Sequence, residues 1–343
     1  MTPLTLHMGR EIAEQPEMLR SRAAVWQRQC VEAREALDRR RDRALLGRGS
    51  SEHVGVFCSY LHGLRWGRQA LDFRPWLTTQ PAQEEADWSD TAALAFSVSG
   101  ESTDVVDGAR WLRSHGAYVL GVTNRAGPES ALGSVAQNLL RFDAGEERAV
   151  PATKTFTAQL FVAAGLCGYP IEEAAHQTAD AIAALLRGGL TEVVTDFVEG
   201  ARAVLWVSRG PAYAGALDAA LKLQEAAGVL SLGYSAAEVL HAPIGFLGAS
   251  DRVVLFLDSD DPLESAEAVI VTLVARGTPF LILASPEGAT RRSDALVLDL
   301  PDPRWARTPL LAVVGQTVAL ELARRRGLNP DSPPGWPEIP GLI

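Results

Sequence analysis

Residues 92–122 decide how this chain is read: AALAFS at 92–97, VSGE at 98–101, an amphipathic stretch from Ser102 to Ser114, and YVLGV at 118–122. Two short uncharged apolar runs flank a helical pattern. That is the strand, helix, strand grammar of a parallel sheet with both faces covered. The grammar returns further along. Ala203 to Ser208 leads into a helix from Pro211, Arg252 to Leu257 into a helix from Pro262, and Pro279 to Ala284 closes the unit. The last two strands of each half have midpoints 26 residues apart (94 and 120) and 27 apart (254 and 281), which points to an internal duplication.

Before residue 92, the apolar run Val54 to Cys58 reads as the first strand, ending in a loop at Ser59 and Tyr60. Gly47 to Ser51 then punctuates the end of an N-terminal helical arm, in which Pro16 is expected to break or start a helix. On this reading the gap from first to second strand is 38 residues in the first half and 49 in the second. An insertion is therefore expected in the second half, around Gly233 to Gly248. The expected divisions are an arm at 1–47, one domain at 48–189, a second at 190–328 and a tail at 329–343. With five prolines between Asn329 and Pro340, the tail should be extended.

Composition excludes several classes. The 343 residues carry 32 Lys and Arg against 42 Asp and Glu, a formal charge of −10, which disfavours nucleic acid or an anionic membrane as main partner. Three cysteines without paired spacing suggest neither a disulfide framework nor a metal knuckle, so a reducing cytoplasm is the expected compartment. No run approaches the ~20 apolar residues of a membrane span. No HxxxH or HxH pair, P-loop or dinucleotide fingerprint is present, so no metal and no cofactor is expected.

Several positions carry possible chemistry. Ser97, Ser99, Ser102 and Thr103 lie between a strand and a helix, where hydroxyls and unpaired amides can cradle an anion such as phosphate. The plainer alternative is an N-cap by Ser102 or Thr103. Ser59, at the end of the presumed first strand, is either a further donor to that anion or a turn serine. Asp218, Lys222 and Glu225 share one helix face, as a solvated ion-pair ladder or, for Glu225, as a general base acting on a carbon acid. His241, ahead of Ala242-Pro243, is placed in a loop as a proton shuttle or as a donor to a nearby carbonyl.

Together these segments resemble the sugar isomerase (SIS) family, and most closely the tandem isomerase half of glucosamine-6-phosphate synthase and its stand-alone relatives. The resemblance rests on MGREIAEQP at 8–16, FSVSGESTD at 96–104, GVTN at 121–124, ATKTF at 152–156, KLQE at 222–225 and AEVLHAP at 237–243. It implies two tandem SIS domains, each a five-stranded parallel sheet flanked by helices, and a homodimer with its active site at the interface. It implies that Ser59, Ser97, Ser99 and Ser102 hold a sugar 6-phosphate and that Glu225 moves a proton between C1 and C2. His241 would assist ring opening from the neighbouring subunit. On its helix face Lys222 either orients Glu225 or pairs with Asp218. There are departures: Glu338 stands where the family has a Schiff-base lysine, Val98 replaces a glutamine, Ala152 a serine, and Phe57-Cys58 the Gly-Thr before Ser59. The chain opens in the isomerase half, so glutamine is not expected as nitrogen donor. The expected reaction is isomerisation or deamination of a hexose or amino-sugar 6-phosphate, of the type that converts glucosamine 6-phosphate to fructose 6-phosphate and ammonia. The alternatives are a fructosamine-6-phosphate deglycase and a non-catalytic sugar-phosphate sensor.

Overall fold

Every residue of Thr91–Phe96 is buried, and this strand, β3, is the middle of a five-stranded parallel sheet. The structure is a computed structural model describing residues 6–80, 86–241, 243–257, 263–286 and 295–333. The sheet's other strands are β1 (Asp42–Leu46), β2 (Leu71–Asp72), β4 (Tyr118–Thr123) and β5 (Asn138–Arg141), in the order β2-β1-β3-β4-β5. A second parallel sheet contains β6 (Val204–Ser208), β7 (Ser231–Ser235), β8 (Arg252–Leu257), β9 (Phe280–Ala284) and β10 (Leu296–Val297), in the order β10-β9-β8-β6-β7. Read from the β7 edge, this is the first sheet's order: second strand, first, third, fourth, fifth. The duplication therefore extends to topology.

The strand at 54–58 is not there. Those residues lie inside helix α2 (Ser50–Trp66), and the first strand is the stretch Asp42–Leu46 that had been read as the end of the helical arm. Burial explains the error: Val54, Phe57, Cys58 and Leu61 are buried because one face of α2 packs on the sheet, and a short apolar run does not distinguish that from a strand. The correction also removes the insertion. β1 and β3 begin 49 residues apart, at 42 and 91, and β6 and β8 begin 48 apart, at 204 and 252.

The remaining helices are α1 (His7–Leu37), α3 (Thr103–Ser114), α4 (Ala131–Val135), α5 (Lys154–Leu166), α6 (Glu172–Arg187), α7 (Leu190–Val198), α8 (Tyr213–Ala227), α9 (Ala236–Val239), α10 (Leu263–Ala275) and α11 (Arg307–Arg325). Pro16 does not break α1, which runs through it. Buried Ile12, Leu19, Trp26 and Leu37 hold the helix on either side against the roughly 3 kcal/mol that an interior proline costs. The arm thus ends at Leu37, not at residue 47.

The described residues group into two compact units. The first contains those of Met18–Glu147 and Lys154–His176. The second contains those of Gln177–Trp336, with Arg148–Thr153 and those of Met1–Glu17. The division falls within α6, not at Gly188-Gly189. In the first unit Leu46, Phe73, Val105, Leu112 and Val119 belong to one core cluster, and in the second Leu205, Val253, Leu255, Val269 and Ile282 form its counterpart.

The opening motif at 8–16 is a packing element of the second unit. Met8, Glu11 and Gln15 are fully buried, Glu11 accepts from the amides of Arg148 and Ala149, and Gln15 donates to Gln316 at 2.8 Å. Asp331, in the described part of the tail, accepts from the His7 and Met8 amides at 2.8 Å each and so caps the start of α1. No helix among the described residues is long and apolar enough to cross a membrane.

Candidate functional site

In the first unit the site residues lie where parallel strands give way to helices. β3 runs into Ser97-Val98-Ser99-Gly100-Glu101-Ser102 and then into α3. Gly100 sits at φ +73°, and a Cβ on it would lie 2.8 Å from Ala126 Cβ, so the turn needs glycine. Ser97 is buried and its Oγ accepts from the Gly100 amide at 3.1 Å, while Ser99 Oγ accepts from the Glu101 amide at 3.2 Å. Ser102 occupies the N-cap position but its side chain makes no capping bond. The plain capping alternative thus fails for Ser102, and its hydroxyl is left beside the amide-rich start of a 12-residue helix.

A second strand-to-helix turn lies next to the first. β1 pairs with β3 along its whole length and leads through Gly47-Arg48-Gly49 into Ser50 and Ser51 at the start of α2. Arg48 Nε donates to Asp104 in the first turn of α3 at 2.9 Å, which ties the two turns together. Ser51 is buried and donates to Gln159 Oε1 at 3.1 Å. Sequence reading missed Ser50 and Ser51 because it took Gly47 to Ser51 for a linker. The signal is present: Gly49-Ser50-Ser51 follows a real strand, whereas the Gly-Thr-Ser pattern was matched eight residues later, at Phe57-Cys58-Ser59 inside α2.

Ser59 is accordingly corrected. It lies within α2, nine residues past the helix start and so about 13 Å along its axis. Its hydroxyl donates to the Ala70 carbonyl at 3.3 Å, and it lines a cavity of about 440 Å³ that starts at Leu46-Gly47 and runs along α2 past Val56, Tyr60 and Leu64. Position and hydrogen bond both remove it from the serine turn.

The GVTN segment supports this corner. Asn124 Nδ2 donates to the Gly145 carbonyl and its Oδ1 accepts from the Ala144 amide, both at 2.8 Å, while Thr123 donates to the Ala126 carbonyl at 2.9 Å.

In the second unit, α8 carries Asp218, Lys222 and Glu225. The solvated ladder is not what forms. Asp218 and Lys222 are fully buried and the Glu225 side chain keeps only 11% of its exposure. Lys222 Nζ lies 2.6 Å from Glu225 Oε2 and 4.0 Å from Asp218 Oδ1. An ammonium removed from water needs such partners, and with the charge shared in this way the lysine fixes the Glu225 carboxylate in one orientation. α8 packs so closely on α11 that a Cβ added at Gly315 would lie 2.3 Å from Ala219 Cβ. Gln224, between Lys222 and Glu225, donates to the Ser231 carbonyl at 2.5 Å and pins the end of α8 to β7.

His241 lies in the turn after α9, exposed, with its amide bonded to the Glu238 carbonyl at 3.0 Å. Glu338 lies outside the described residues. Among the described residues no group of three or more His, Cys, Asp and Glu has the geometry to hold a metal ion.

The serine-lined turns lie at the carboxyl ends of central parallel strands, the place where open α/β folds bind their ligands. Residues 37–166 match the SIS domain family, and the chain carries a SIS domain there. The chain is 27% identical over 341 residues to a protein of Pyrobaculum aerophilum named glutamine–fructose-6-phosphate aminotransferase (isomerizing), a match covering 95% of this chain and 56% of that one. The chain thus spans about half the length of the curated relatives it matches. Among solved structures, a Silicibacter pomeroyi DSS-3 protein provisionally named a phosphosugar isomerase is 27% identical, with a TM-score of 0.79 and coverage of 95% and 100%. Tagatose-6-phosphate ketose/aldose isomerase of Escherichia coli shares the fold, with a TM-score of 0.82 at 17% identity over 96% and 95% of the two chains.

Proposed function

We propose that this chain acts on a hexose or amino-sugar 6-phosphate at C1 and C2, as an isomerase that releases ammonia when the substrate carries a 2-amino group. The observation that carries the reading is the nearly buried Glu225 carboxylate, held at 2.6 Å by a fully buried lysine. A base that moves a proton on carbon must be positioned and shielded, and a solvated ladder supplies neither.

Ser97, Ser99, Ser102 and Thr103, with the first amides of α3, take the phosphate, and the adjoining Ser50-Ser51 turn serves the same anion. Glu225 removes the proton from C2 of the open-chain aldehyde to give an enolamine. Return of the proton to C1 gives a ketimine at C2, and water hydrolyses it to the ketose phosphate and ammonia. Lys222 positions Glu225, and His241 is the acid that opens the sugar ring. No lysine imine is required. The names of the relatives support the substrate class, since they pair a hexose 6-phosphate with amino transfer or with ketose/aldose isomerisation.

The test is to incubate the protein with glucosamine 6-phosphate and measure fructose 6-phosphate and ammonia together. Equal yields are expected, with both lost in Glu225→Gln. Tight sugar-phosphate binding without turnover would replace the enzyme reading by that of a sensor.

A further inference from the structure

The opposite end of the first sheet carries charge that the proposed reaction does not use. At the amino ends of β1 and β3, the run Asp38-Arg39-Arg40-Arg41-Asp42-Arg43 meets the C-terminal turn of α2 around a concavity of about 480 Å³. Five arginines line it, Arg39, Arg40, Arg41, Arg43 and Arg68, against two carboxylates, those of Asp38 and Asp90. This is a local excess of three positive charges in a chain whose net charge is −10.

Structural duties account for only part of the cluster. Arg43 is 8% exposed and donates to Asp38 and to the Arg40 and Asp42 carbonyls. Arg40 donates to the Ala36 carbonyl and lies over the Tyr118 ring at 5.1 Å. The carboxylates are already engaged, Asp38 by Arg34 and Arg43 and Asp90 by the Arg41 amide. Arg39 and Arg68 are exposed on the wall of the concavity, and among the described residues their side chains have no hydrogen bond or ion pair. Two guanidinium forks therefore face a cavity whose other cations repel them and whose anions are already taken.

We propose that this arginine pocket is a second anion site, separate from the serine turn, for a small molecule carrying a diphosphate or two phosphoryl groups. Each free fork can take a phosphoryl group in a bidentate pair, so two forks fit two groups. The volume is that of a small-molecule cleft. A nucleic acid is disfavoured because it needs an extended basic face, whereas here the charge is confined to one concavity of an acidic chain. Strand β1 runs from this pocket to the Gly49-Ser50 turn, and five residues of strand put the two sites about 16 Å apart. Trp66, half-exposed on the rim, offers an apolar face to the remainder of such a ligand. The site does not depend on the reaction proposed above.

The test is calorimetric titration of the full chain with inorganic pyrophosphate, with orthophosphate as the single-group control. Pyrophosphate should bind more tightly than orthophosphate. The Arg39→Ala/Arg68→Ala variant should lose at least about tenfold in affinity and the Lys pair at the same positions should fall between, because it keeps the charge and loses the forks. In the Ser97→Ala/Ser99→Ala background, which removes binding at the serine turn, Arg39→Ala/Arg68→Ala should still cost at least about tenfold, as sites this far apart behave independently. Both arginines are exposed, so folding should survive, and a melting curve checks it. Absence of binding at roughly millimolar pyrophosphate overturns the proposal, as does affinity indifferent to the arginine pair in both the parent and the serine variant.

Discussion

Lys222 and Glu225 can be separated experimentally because they fail in different ways. Lys222→Met leaves two carboxylates at a buried site without their cation, which should destabilise the protein by about 3–5 kcal/mol in urea unfolding. Glu225→Gln keeps an oxygen able to accept from Lys222 and should fold normally, while ammonia release from glucosamine 6-phosphate falls by about 10²–10⁴. Ser97→Ala/Ser99→Ala should raise KM with little change in kcat, since phosphate is held equally in ground and transition states. His62 provides a pH dependence at the same scale. It is 5% exposed, and burial pushes its pKa below 6.5, assisted by the charges of Arg43 and Arg68 and opposed by the bond to the Arg68 carbonyl and by Asp38. Below 6.5 the unfolded chain takes up a proton that the folded one refuses, so stability falls with pH until the lowered folded value is reached. The unfolding midpoint should drop between about pH 7 and pH 5.5, and less so in His62→Gln.

At the scale of elements, tight crossings set the geometry. Gly315→Ala places a methyl group inside Ala219 and must push α11 away from α8, with an overpacking cost of about 1–3 kcal/mol. Turnover should fall more than this stability loss accounts for, because α8 carries Lys222 and Glu225; activity measured well below the melting point checks this. Strand β8 was legible residue for residue and β3, β4, β6 and β9 to within one residue at each end, since strands buried on both faces read as unbroken apolar runs. β1 was not legible because it opens with charged Asp42 and Arg43 after a run of arginines, so its apolar part shrinks to Ala44-Leu45-Leu46. That one misplacement also hid Ser50 and Ser51 at the start of α2, put Ser59 at a strand end when it lies inside α2, and created an insertion that does not exist. The serine turn at 97–103 was legible because its strand and helix were both placed correctly. The burial of Lys222 was not, because helical spacing gives the shared face and says nothing of what covers it.

For the molecule as a whole, the acidic surface bears on binding. A chain of charge −10 repels a sugar phosphate, and the cationic Arg48 beside the serine turn is paired with Asp104. Raising ionic strength from about 0.01 M to about 0.15 M shortens the Debye length from about 30 Å to about 8 Å. KM for the sugar phosphate should therefore not rise over that range, while pyrophosphate binding at the arginine pocket should weaken, as titrations at the two salt concentrations can show. The three cysteines, Cys30, Cys58 and Cys167, are all buried, and all belong to the first unit. Burial pushes Cys30 up to about 12, and Cys167 is also raised, first by its hydrogen bond to Cys58, whose sulfur lies 3.6 Å away. Such thiols are inert to alkylating reagents until the fold opens around them. The protein thus contains its own stopwatch: the rate at which a maleimide marks the native chain times the breathing of one half alone, and the other half, having no sulfhydryl, stays silent.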